Sequence, residues 1–325
     1  MAALKSLFAW PQKLALTWLC LVLLAAVLAP VLPLPFPPNI PDLAHVSAPP
    51  FGPSQHWLGT DSQGLDVLSQ LLFGARTALI LTLPAAALAT IAGALAGGAG
   101  GFWLNSCRLA IPYWLLVVAS GWWLLDLPQA GLLLMAAALA SGSLVVLARW
   151  RHRPLPTWPL PLDSLLMGTA TTLDTIPRLV LVVAMAAITG VAVPGLLLLL
   201  VLTSWPYPAR LVRAQMLRVR NLPFIEAARA AGLRPGRVWL WHALPHAIQP
   251  LKVAFPLSLA GLLGLESTLS FLGVGLPPDV ASWGRMLAGV RYDPTAWWTA
   301  LFPLLSLVFS ILSLYLLSHS KQPES

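Results

Sequence analysis

The sequence predicts an all-α, polytopic helical membrane protein, and three observations carry that prediction. Apolar residues make up 58% of the chain and charged residues only 9%, against about 45–50% and about 25% in soluble domains. Charge-free stretches recur at roughly the 20-residue length that crosses about 30 Å of hydrocarbon. The basic residues gather in a few loops between those stretches. That placement explains the formal charge of +8 as membrane orientation. It excludes nucleic-acid binding, because no aromatic-basic module accompanies the arginines. Cys20 and Cys107 stand alone in or beside apolar runs, which gives neither a metal-ligand spacing nor a disulfide framework.

The first apolar run, 14–31, follows Lys5 and Lys13. It reads as an uncleaved signal-anchor rather than a signal peptide, because the core is long and Pro30 follows the small residues where cleavage is expected. Prolines at 33, 35, 37, 38, 41, 49, 50 and 53 then impose an extended external connector, each lacking an amide donor and fixing φ. Further spans are predicted at 77–97, 109–125, 131–147, 164–188, 195–209, 248–265 and 298–317, for about eight in all. Trp122-Trp123, Trp239, Trp241 and Trp297-Trp298 fit interfacial belts.

Eight spans starting inside place both termini in the cytoplasm. Of the 19 Lys and Arg residues, only Arg76, Arg285 and Arg291 then fall in external segments, while Arg178 and Lys252 lie in or at the ends of spans. All the others are internal, as the positive-inside rule requires. Within the second span Gly93, Gly97 and Gly101 recur every four residues, a spacing that lets helix backbones approach closely. No lysine follows a glycine in the sequence, so a Walker phosphate loop is absent.

The internal loop at 210–246 carries the most specific signal. Asn221-Leu222-Pro223 is a helix start, and Glu226 sits near the positive end of that helix. Phe224, Ala227, Ala228 and Ala231 recur at i, i+3, i+4 and i+7, on one predicted face. Gly232 and Pro235-Gly236 end the helix. So short a helix needs a partner surface. Two surfaces are open to it: a protein groove that alanines approach closely, or the lipid interface, which calls for a bulkier apolar face.

Glu226-Ala227-Ala228, Gly232 and then Leu244-Pro245 match in spacing the signature of ABC importer permeases. His242 stands where that family usually has Ile, as in its peptide and nickel branch. Gly59-Thr60-Asp61-Ser62-Gln63-Gly64-Leu65-Asp66 resembles the external segment before the second span of dipeptide, oligopeptide and nickel permeases. The stretch from Leu269 to Gly275, followed by Pro277-Pro278 and Ser282-Trp283-Gly284-Arg285, resembles the segment before their last span. Leu65 and Gln70 stand where that family has arginine.

The resemblance implies a type I importer permease core of six spans, with 105–162 an added two-span hairpin. The implied organisation is 1–72 as anchor and external segment, 73–318 as permease domain and 319–325 as tail. Phe224, Glu226, Ala227, Ala228, Ala231, Gly232, Leu244 and Pro245 would couple to the ATPase. Gly59, Asp61, Asp66, Glu266 and Trp283 are external or gate candidates. The implied partners are a homologous permease, two cytoplasmic ATPases and an external substrate-binding protein, all working at the lipid of the inner membrane. No cofactor or metal is expected in this chain, ATP being used by the partners, and no covalent chemistry takes place in it.

Peptides are the expected cargo, with nickel or another small solute the alternative. A secondary transporter using Asp174 or Glu266 as ion-coupling groups is the rival from another class, but no inverted repeat supports it. Asp174 and Arg178, at i and i+4, are expected to pair. His242 and His246 have ligand spacing but flank Pro245, which favours polar anchoring.

Overall fold

The computed structural model describes residues 2–105, 107–109, 158–189 and 193–319. They form two compact units, one of residues 1–102 with 167–325 and one of 103–166. Helix α1 covers Ala2–Leu28 and α2 covers Val67–Trp103. Helices α3 (Leu162–Thr175), α4 (Arg178–Thr189), α5 (Val193–Ser204) and α6 (Pro206–Val219) follow. The loop after them holds α7 (Pro223–Ala230), the short turn α8 (Pro235–Arg237), a π-helical stretch Val238–Ala243 and α9 (Leu244–Ala247). Helices α10 (Leu251–Phe271), α11 (Trp283–Gly289) and α12 (Trp298–His319) complete the chain.

Among the described residues five helical stretches are long and apolar enough to cross a membrane: Trp10–Leu28, Val67–Trp103, Val193–Val219, Leu251–Phe271 and Trp298–His319. A sixth candidate is the α3–α4 pair, bent by 86°. The sequence suggests one continuous span there, over 164–188. Pro177 interrupts it, because proline lacks the amide for an i−4 bond and pushes Ile176 out of the helical region. The two further spans expected within 105–162 fall largely on residues outside the described ones. The described ends of that segment form a short antiparallel pair, with Cys107 opposite Leu160 and Leu109 opposite Trp158. The Asp163 amide donates to the Leu104 carbonyl at 3.2 Å beside it.

Helix α2 starts ten residues earlier than expected. Asp66 caps it, accepting the Ser69 amide at 2.8 Å. At 1.5 Å per residue its 37 residues extend about 55 Å, well beyond the roughly 30 Å of a hydrocarbon core. Two apolar clusters hold the larger unit together. One joins Ala75 and Ala78 of α2 to Leu263, Trp283, Met286 and Leu307. The other joins Leu81, Ala85 and Ala86 to Val182, Leu196, Leu200, Leu262 and Leu269. Helix α1 lies on α12, where the Trp18 indole donates to Ser310 Oγ at 3.1 Å.

The glycine stripe of α2 packs on α6, as its spacing predicts. A Cβ at Gly93 would stand 2.7 Å from the Trp205 carbonyl, one at Gly97 2.7 Å from the Ala209 carbonyl carbon, and one at Gly101 3.0 Å from the Arg213 carbonyl. Such contact is possible only between bare backbones.

Candidate functional site

Helix α7 is built by its two ends. Pro223 occupies the first turn, where its missing amide is harmless. Leu222, in extended conformation, takes the N-cap position without a side-chain cap. This corrects the expectation for Asn221, whose amide group instead reaches back toward the Leu217 carbonyl at 3.5 Å. At the other end the Gly232 amide donates to Arg229 and the Leu233 amide to Ala228, at 3.0 and 3.3 Å. With Gly232 at φ +75°, these bonds form a Schellman cap.

The helix has two distinct faces. Ile225 is fully buried and Ala228 nearly so, facing the protein. Phe224, Glu226, Ala227 and Ala231 are exposed. The sequence places Ala228 on the same face as Phe224; the structure turns it inward. The inward pair, Ile225 and Ala228, is at i and i+3, and the outward set, Phe224, Ala227 and Ala231, is at i, i+3 and i+7. Both patterns satisfy the helical period. Alanine therefore could not mark a side by itself.

This loop is tied to the long helices. The Arg229 guanidinium lies 5.3 Å from the centre of the Phe102 ring near the end of α2. Arg220 donates to the Gly101 carbonyl at 3.3 Å. Leu244 packs at Gly98, where a Cβ would meet its side chain at 2.8 Å. Pro245 is exposed in the first turn of α9. The rings of Phe224 and His246 lie 5.1 Å apart, while the Nδ1 of His242 is buried without a hydrogen-bond partner. No sequence signal announced the π-helical stretch between them.

The other two motifs meet at the opposite end of α2. Gly59 has φ +81°, and a Cβ there would stand 3.0 Å from both Pro50 N and the Trp298 indole nitrogen. The same indole donates to the Thr60 carbonyl at 2.9 Å. Asp61 Oδ1 accepts the amides of Gln63 and Leu65, each at 2.8 Å. Burial pushes its carboxyl above the ordinary value, and the Leu65, Gln63 and Gly64 amides pull the other way. Trp283 is buried against Gly74 and donates to the Leu71 carbonyl at 3.0 Å. Arg285 gathers the preceding loop by donating to the carbonyls of Leu276, Pro277, Pro278 and Val280.

Asp61, Gln70, Ser270, Arg285 and Arg291 line a cavity of about 310 Å³ at this end. Asp66 and Trp283 support the helices around it. Glu266 is buried within α10 and accepts from Ser270 at 2.9 Å and Ser267 at 3.3 Å, both on its own helix. Asp174 contacts Arg178 at 4.0 Å and makes a closer ion pair with Arg210, a partner the sequence did not suggest.

Residues 159–322 match the model of the family described as "binding-protein-dependent transport system inner membrane component". The chain belongs to this family. It is a multi-pass ABC importer permease, a class of subunit without an ATPase site of its own. A protein of Brucella suis named as a peptide transport system permease is 30% identical over 306 residues, covering 94% of this chain and 83% of that one. Another B. suis protein, named as a peptide permease, is 30% identical over 295 residues, covering 90% and 79%. A Sinorhizobium fredii protein named as a peptide ABC transporter permease is 36% identical over 156 residues, covering 48% and 54%.

In this permease the two motif-bearing regions are joined by one helix. Gly74, at the cavity end of α2, and Phe102, at the α7 end, are about 42 Å apart along its axis at 1.5 Å per residue. Sequence reading missed the convergence of Asp42, His45 and His56 before α2, because the proline-rich connector hides which residues meet.

Proposed function

We propose that this permease forms half of the translocation path of a peptide importer and receives ATP-driven motion through α7. The observation that carries this reading is the division of α7 into an anchored face, Ile225 and Ala228, and a free face, Phe224, Glu226, Ala227 and Ala231. Peptide cargo rests on the names of the relatives.

The distribution of lysine and arginine supports an orientation with α7 and both termini in the cytoplasm. There a homologous permease would complete the pathway, and each of two ATPase subunits would offer a groove to a coupling helix. An external binding protein would deliver cargo to the opposite face, near Asp61 and Arg285. ATP would be bound and hydrolysed by the ATPases, with no cofactor in this chain.

The coupling follows from rigidity. When the ATPases close, α7 moves and carries α2 and α6 with it, through Arg229–Phe102, Arg220–Gly101 and the glycine stripe. Because packed helices shift as units rather than deform, displacement at Phe102 is felt at Gly74 and the cavity beyond it. The two access states are then populated according to what binds at each face.

The test is reconstitution with cognate ATPases, a partner permease and a binding protein from the same organism. ATP-dependent uptake of labelled di- to oligopeptides, abolished by Phe224→Ala with membrane insertion intact, is the expected result. Uptake that needs no ATPase, or full uptake by that variant, would overturn the reading.

A further inference from the structure

The segment between α1 and α2 holds a constellation that transport coupling does not use. His45 Nδ1 lies 2.9 Å and His56 Nε2 3.3 Å from the same oxygen, Oδ2 of Asp42. His56 is 1% exposed, with the Phe36 ring 3.8 Å from its own. Its other nitrogen, Nδ1, is 2.9 Å from Asp66 Oδ1. Asp66 is itself fixed, because its second oxygen caps α2 through the Ser69 amide.

This is the arrangement of a metal-ligating histidine. A buried carboxylate that takes the Nδ1 hydrogen fixes the tautomer, orients the ring and makes Nε2 more basic. The Nε2 lone pair then faces the Asp42 carboxylate. Two acceptors at that distance attract only with a cation between them, whether a proton or a metal ion. His45 Nδ1 converges on the same point.

The available ligand atoms of Asp42, His45 and His56 lie within 4.8 Å of one another. A tetrahedral ion with bonds of about 2.0–2.2 Å holds its ligands about 3.4 Å apart. Two of the three separations, 2.9 and 3.3 Å, are close to that value, and the two imidazole nitrogens lie within 4.8 Å of each other. An ordinary carboxyl is ionised at neutral pH, so Asp42 offers an anionic ligand. Two imidazoles and one carboxylate suit zinc-class cations, whereas calcium and magnesium call for oxygen ligands.

We propose that Asp42, His45 and His56 bind one zinc-class divalent cation, with Asp66 as the carboxylate that orients His56. The half-exposed side of His45 leaves the fourth position to water. The ion would staple the proline-rich segment to the start of α2, beside the cavity that Asn39 and Asp61 line.

The test uses full-length protein in nanodiscs, stripped with a chelator and titrated with Zn2+ alone, then with Co2+ as a spectroscopic probe. Wild type should bind one equivalent and give the strong visible absorption of tetrahedral Co2+. Asp42→Asn and His45→Gln change side chains that are not buried, so both should fold, as circular dichroism will check. Each should weaken binding by about tenfold or more and lose the Co2+ spectrum, while His246→Gln retains both. Absence of stoichiometric binding by wild type would overturn the proposal. So would unchanged affinity and spectrum in Asp42→Asn and His45→Gln.

Discussion

Gly97 of α2 and Ala209 of α6 meet backbone to backbone: a methyl group at 97 would stand 2.7 Å from the Ala209 carbonyl carbon. Neither atom belongs to a side chain that could rotate away. Gly97→Ala must therefore push the helices apart, and overpacking of this kind costs about 1–3 kcal/mol. Gly261→Ala, where nothing lies within 4 Å, should be neutral or slightly stabilising. Thermal unfolding of the two variants in one detergent checks the contrast.

The faces of α7 separate stability from docking. Ile225 is fully buried, so Ile225→Ala should lower stability by about 2–5 kcal/mol. Phe224 is 40% exposed, and Phe224→Ala should leave the melting temperature nearly unchanged. It should instead reduce ATPase copurification about 30-fold, the effect of losing an interface anchor worth about 2 kcal/mol.

Gly232 is needed for its conformation and not for space. Its φ is +75°, and a Cβ at this position would meet nothing within 4 Å. Gly232→Ala should cost about 1–2 kcal/mol through left-handed strain. Gly232→Asn should cost less, because asparagine tolerates that region better. Thermal melts of the two variants rank them directly.

Acid should loosen the loop before α12. Asp293 is held below its ordinary value of 3.8 by Ser47, then by the Thr295 hydroxyl and amide. A depressed carboxyl contributes stability above its unfolded value and loses it as pH falls through the folded one. Amide exchange around 290–297, divided by its intrinsic rate at each pH, should therefore be flat above pH 3.8 and quicken below it. In Asp293→Asn it should be faster at neutral pH and respond less to acid.

The parts of this fold most legible in the sequence were those set by repetition. Gly93, Gly97 and Gly101 announced a close helix contact because only small residues fit there. Pro223 and Gly232 marked the ends of α7 through their backbone constraints. The assignment of its faces was less secure, since alanine suits both a buried and an exposed side, and only Ile225 distinguishes them. The start of α2 was hidden because Ser69, Gln70 and Arg76 look like loop residues, although the first two are buried. The meeting of His56 with Asp42 and Asp66 was invisible, because proline-rich chain does not reveal its returns.

The most direct test of the coupling account is cysteine cross-linking from α7 to the ATPase in the assembled transporter, with Cys20 and Cys107 replaced. Cysteines at Ala227 and Ala231 should cross-link to the ATPase in an ATP-dependent way, while those at Ile225 and Ala228 should not. Cross-linking from 225 and 228 alone, or from none of the four, would contradict the account.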